Sequence, residues 1–150
     1  MSTRKYAEDT VVSIDRSKSE IEKNLAKHGA TEFGYMVNSE KAIVVFQINR
    51  KQVKFVLLMP KVESIKRTAT GKIRSNQSVE SAYEQECRRL WRALCLVIKA
   101  KLEAVATGIV TFEEEFLAQF VLPSGETFAE RFVPQIEDAY RSGKIRGLLE

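Results

Sequence analysis

The hydrophobic pattern of this chain changes period once, and that change limits the folds open to it. Before Pro60, apolar residues recur at every second position in three short runs. After Val79 they recur every three to four residues over one long segment. Period two places a single face of a strand against a core, and a period near 3.6 does the same for a stripe of a helix. Strands grouped ahead of helices predict an α+β domain rather than alternating βαβ units. The expected architecture is a three-stranded antiparallel meander packed on a long central helix with flanking helices.

The strand runs are Thr31 to Val37, Ala42 to Ile48 and Val53 to Met59, separated by Asn38-Ser39-Glu40-Lys41 and Asn49-Arg50-Lys51-Gln52. In the second run Ala42, Val44, Phe46 and Ile48 share one face, with Ile43 and Val45 on the other. Upstream, Ser17-Lys-Ser-Glu20 has the pattern of a capping box and predicts a helix starting there and closing at His28 and Gly29. The long helix is expected from Val79 to Ala106, with Tyr83, Cys87, Leu90, Leu94, Val97, Ile98 and Val105 on its apolar arc. Lys101 falls inside that arc and must either snorkel or meet a buried carboxylate. Thr111-Phe-Glu-Glu-Glu-Phe116 and Thr127-Phe-Ala-Glu-Arg-Phe132 are two Thr-x-x-Glu helix starts. Pro134 should break the second of these helices. The 150 residues suit one domain, 1–150, with residues 1–16 as a loose leader and 61–78 as a flexible basic loop.

Charge is distributed unevenly. The net charge is +4, yet residues 60–102 carry +6 and residues 103–150 carry −5. Lys61, Lys66, Arg67, Lys72 and Arg74 crowd the loop. On the long helix, Arg88, Arg92 and Lys99 fall within about 40° of one another at about 100° per residue. A basic loop feeding a basic helix stripe predicts a polyanionic partner, and phosphate neutralisation by such side chains releases counterions. These eight residues are the expected nucleic-acid-binding set, suited to single-stranded or flexible DNA. Phe33, Tyr35, Phe46, Phe55 and Trp91 have the chemistry to stack on bases, but Phe33, Phe46 and Phe55 sit on alternating apolar positions that predict a core, and Trp91 borders the apolar arc.

Catalytic chemistry finds no footing. His28 is the only histidine, and its place at a helix end suits capping better than catalysis or zinc binding. Thr70-Gly-Lys72 lacks the first glycine and the following Ser/Thr of a phosphate-binding loop. Glu113, Glu114 and Glu115 point about 100° apart on a helix and do not converge on a metal; they complement the helix N-terminus. Cys87 and Cys95 stand about 12 Å apart along one helix, beyond disulfide reach. The expectation is a non-enzymatic protein with no cofactor and no metal. Neither an apolar signal core nor a bilayer-length apolar run occurs, which predicts a cytoplasmic location. Apolar residues on the second face of the meander, Ile43, Val45, Val56 and Leu58, predict a homo-oligomer.

Several strings carry a family likeness: Glu20-Ile-Glu, Gly29-Ala-Thr-Glu-Phe-Gly-Tyr35, Trp91-Arg-Ala-Leu, Ile98-Lys-Ala-Lys-Leu-Glu103, Gly108-Ile-Val-Thr-Phe-Glu-Glu-Glu-Phe-Leu117 and Val121-Leu-Pro. Together they resemble a group of small uncharacterised proteins encoded by tailed phages and prophages, over most of residues 17–149 outside the loop at 61–78. The resemblance supplies no catalytic residues. It implies a role in DNA transactions such as replication or recombination, in the host cell cytoplasm. Its alternative implication is an anti-defence protein that inhibits a bacterial immune enzyme by surface occlusion. There the acidic residues Glu113, Glu114, Glu115, Glu137 and Asp138 would mimic phosphate, or the basic loop would plug a nucleotide site.

Overall fold

A computed structural model describes residues 5–144. Strands β1 (Glu32–Val37), β2 (Lys41–Ile48) and β3 (Lys51–Leu58) form an antiparallel sheet in the order β1-β2-β3. Helices α1 (Ile14–Lys27) and α3 (Asn76–Ala106) pack together beside it. The short α2 (Val62–Ile65) joins sheet to α3, and α4 (Phe112–Phe116) and α5 (Phe128–Ser142) follow. The α+β meander on a long helix is therefore the observed architecture. Among the described residues, no helix is long and apolar enough to cross a membrane.

Local chemistry explains the sheet register. Asn38 Oδ1 accepts from the backbone N–H groups of Glu40 and Lys41 at 2.8 and 2.9 Å, closing the first hairpin as an Asx-type turn. The second hairpin turns on two residues only, Asn49 and Arg50, both left-handed at φ 51° and 65°. Left-handed pairs match the right-handed twist of the flanking strands. Lys51 and Gln52, expected in the turn, are thus already part of β3. Ala42, Val44, Phe46 and Ile48 all face the core, as their alternation predicts.

The helices depart from expectation in three places. First, α1 begins one turn early: Ser13 caps it, accepting from Arg16 N–H at 3.2 Å. Ser17, Ile21 and Leu25 form its buried stripe, and Glu20 is free to reach across to α3. Second, the buried face of α3 consists of Cys87, Trp91, Leu94, Cys95, Ile98 and Leu102. It is rotated towards the arginine stripe, and Val97 is left exposed. The reason is α1, which covers the flank carrying Trp91 and Cys95 so that α3 is packed on two sides. Third, Pro134 lies inside a continuous α5. Both Pro134 and Glu130, the residue one turn earlier whose carbonyl the missing N–H would have met, are exposed, so the lost hydrogen bond falls on the solvent side of the fold rather than in its core, and the helix continues.

Both capping boxes in the C-terminal third form, at Thr111/Glu114 and Thr127/Glu130. The first drives Phe112 and Phe116 into the core, where Phe116 meets Phe46 edge-on at a ring separation of 6.0 Å. Lys101 resolves as a pairing: its ammonium donates to Glu115 Oε1 at 3.1 Å and to the Glu115 carbonyl at 2.9 Å, 5.3 Å from the Phe116 ring centre. His28 caps α1, its Nδ1 donating to the Asn24 carbonyl at 2.8 Å.

Candidate nucleic-acid interface

The segment after β3, which has little periodicity in sequence, is shaped by its own hydrogen bonds. The chain turns through α2, then doubles back: Thr68 N–H donates to Lys72 O at 2.8 Å, and Arg74 N–H to Lys66 O at 2.8 Å. Gly71 adopts φ 86°, the left-handed conformation that lets this small turn close. Arg67 and Ile73 pair as an isolated bridge, so Lys66 and Arg67 lie alongside Lys72 and Arg74. Arg67 also donates from Nη1 to the Gly71 carbonyl at 3.0 Å.

Lys61, Lys66, Arg67 and Lys72 are all exposed. Among the described residues none of them pairs with a carboxylate, although Glu63 lies within the same segment. Arg74 is half-buried where the segment enters α3, 3.4 Å from Ser78 Oγ.

The helix stripe is divided. Arg88 is half-buried and donates twice to Gln85 Oε1, at 3.0 and 2.8 Å. Gln85 in turn holds the carbonyls of Glu8 and Thr10, tying residues 8–10 to α3. Arg92 is committed to Glu20, with Nη1 2.6 Å from Oε2. That pairing holds the Glu20 carboxyl below its usual range, chiefly through the hydrogen bond from Arg92. Lys99 alone of the three is exposed and without an ion pair among the described residues.

The aromatic residues weighed for base stacking divide in the same manner. Phe46 and Trp91 are buried, and Phe33 and Phe55 pack against the core. Tyr35 remains half-exposed, edge-on to Trp91, with the Lys18 ammonium 4.6 Å from its ring centre. Cys87 and Cys95 are free and buried. Burial, reinforced by the Glu20 charge, pushes the Cys95 thiol up to about 11.

A second basic cluster was not legible as a unit. Arg50, Lys51 and Lys54 line an open cleft of about 710 Å³ with Gln47, Gln52 and the loop from Phe120 to Gly125. Two of its cations are engaged, Lys51 with Glu113 at 3.0 Å and Lys54 with the Gly125 carbonyl at 3.4 Å. The cleft exists because Val121 N–H bonds Gln52 O, 69 residues apart in sequence numbering, a pairing that no local pattern signals. Among the described residues no group of three or more His, Cys, Asp or Glu side chains is placed to hold a metal ion.

No protein-family model matches the chain, and neither a curated protein nor a solved structure matches it significantly. The likeness to phage proteins rests on its sequence strings alone.

Proposed function

We propose that the chain is a non-enzymatic, phage-type accessory protein of the host cell cytoplasm that binds single-stranded or flexible DNA. The observation that carries this reading is the doubled-back segment after β3. Its exposed cations, Lys61, Lys66, Arg67 and Lys72, have no carboxylate partners among the described residues. Arg74 adjoins this segment at the entry to α3, whereas Lys99 stands about 35 Å further along that helix, and Arg92, being neutralised by Glu20, contributes no free charge. Unpaired cations on a turn follow a bent phosphate backbone without reading its bases.

A fluorescein-labelled thirty-nucleotide oligo-dT titrated in 50 and 200 mM salt tests this reading. Four phosphate contacts on a single strand give roughly a 50-fold loss of affinity between those salts. Replacing Lys61, Lys66, Arg67 and Lys72 together with Ala should remove most of the binding. An absence of binding at micromolar protein in low salt, or an unchanged affinity in the quadruple variant, overturns it.

The second face of the sheet supports the homo-oligomer reading. Met36 and Leu58 are 65% and 72% exposed there, and Ile43 and Val56 continue the row from Met36 on the same face. Pairing two copies through it multiplies the phosphate contacts. Light scattering should give a mass above the 17.1 kDa of one chain. A mass of one chain, unchanged on tenfold concentration, defeats the oligomer.

The same apolar face is what favours the second reading, occlusion of a bacterial immune enzyme. Phosphate mimicry fits less well, because Glu113 is engaged by Lys51 and Glu115 by Lys101. A stoichiometric host protein retained after nuclease treatment would favour occlusion over DNA binding.

A further inference from the structure

Helix α5 is fifteen residues long and has no buried residue. It is held at its start, where Phe128 N–H bonds the Phe120 carbonyl at 2.8 Å; the Phe128 and Phe132 rings lie tilted with centres 4.4 Å apart. The body-facing side carries Phe128, Phe132 and Ala139, all partly covered. A second apolar line runs along the outer side: Ala129, Val133, Ile136 and Tyr140, of which the last three are 43%, 46% and 87% exposed. Their spacing of four, three and four residues is that of a coiled-coil seam, which a flat or irregular partner does not require and a helix does. The line is about 16 Å long, close to three helical turns. Pro134 lies off it, so the proline does not interrupt it.

The residues beside the seam say what kind of helix fits. With Val133 and Tyr140 at the first core position of each heptad, one flank is Glu130 and Glu137, and the other is Phe132 and Ala139, turned towards the body. Glu137 is exposed and has no ion pair among the described residues. Glu130 spends one oxygen, Oε2, on the Thr127 N–H and leaves the other open. Two copies of α5 packed antiparallel would set these glutamates against each other, and like charges at flanking positions disfavour pairing. Two parallel copies would instead set the glutamate flank of each against the Phe132 and Ala139 flank of the other, which offers no cation. We propose that the outer face of α5 is a docking seam for a single amphipathic helix of a partner protein, with Lys or Arg flanking its apolar stripe.

Two synthetic three-heptad peptides test this: one with Ile and Leu at the core positions and Lys at both flanks, the other identical but with Glu at both flanks. Like charges at both flanks keep each peptide from pairing with itself. Each is labelled with fluorescein and titrated with the full chain by anisotropy. The Lys peptide should bind at least tenfold more tightly than the Glu peptide. The Val133→Ser/Ile136→Ser double variant should lose that binding with an unchanged circular dichroism spectrum, since both residues are exposed. Glu137→Lys should narrow the preference between peptides. Equal binding of both peptides, no binding of either, or binding of the Lys peptide that survives the double serine variant overturns the proposal. So does concentration-dependent dimerisation that Ile136→Ser abolishes, because the occupant is then a second copy.

Discussion

Arg92 on α3 donates to Glu20 on α1 at 2.6 Å, and the thiol of Cys95, one turn further along α3, also points to the same carboxylate oxygen at 3.6 Å. Two helices whose contacting residues lie 72 apart in sequence are joined at one oxygen atom. The pair is partly shielded, with Arg92 and Glu20 side chains 20% and 32% exposed. Glu20→Gln should therefore cost about 1–2 kcal/mol at neutral pH, more than a fully solvated pair and less than a buried one. Because the folded carboxyl titrates below its usual range, its contribution is complete above the unfolded value, near 4.3, and is lost as pH falls through the folded value. Urea unfolding of wild type and Glu20→Gln at pH 7 and pH 3 should show the stability gap closing on acidification. A gap independent of pH would show that the carboxylate charge is not what joins the helices.

The cysteines should be silent until the chain unfolds. Cys95 is fully buried with its thiol pushed up to about 11, and burial also raises Cys87. Thiolate is the reacting species, so a disulfide reagent at pH 8 should label neither residue in the native protein and both in denaturant. Rapid native labelling of Cys95 would mean that α1 lifts from α3 readily.

Pro134 is a built-in weakness in α5. An interior proline costs about 3 kcal/mol of helix stability relative to alanine. Pro134→Ala restores the N–H to the Glu130 carbonyl without touching a buried residue, since Pro134 is exposed. Hydrogen exchange at α5 amides should slow by tenfold or more, with little change in the meander. Unaltered exchange would place the limit on α5 in its thin attachment to the body instead.

The parts of this fold that were legible in sequence are those set by near neighbours. Alternation at Ala42, Val44, Phe46 and Ile48, the two Thr-x-x-Glu caps and the left-handed Gly29 each depend on residues a few positions apart, and each is present. What escaped depends on distant partners. Ser17 and Glu20 have the chemistry of a capping box, but α1 starts at Ser13 and its contact with α3 takes Ser17 inside and Glu20 to Arg92. The same contact rotates the buried face of α3 towards Trp91 and Cys95, which a single-helix wheel cannot reveal. Of the expected DNA-binding set, Lys61, Lys66, Arg67 and Lys72 are exposed as their composition suggests, while Arg74 is half-buried at the entry to α3. Arg92 is occupied for a reason that lies on another helix.

Strand order in the sheet follows chain order, each strand joined to the next by a turn of two to three residues. Local closure of that kind carries a small entropic toll, whereas bringing α1 onto α3 requires the whole meander to be spanned first. The hairpins should therefore belong to the folding nucleus and the docking of the two helices to its aftermath. In stopped-flow kinetics, Val44→Ala would slow refolding, while Arg92→Ala would chiefly accelerate unfolding. The reverse pattern would place the helix pair in the nucleus. The clamp that joins α1 to α3 is, on this account, a brake on leaving the native state rather than a guide towards it.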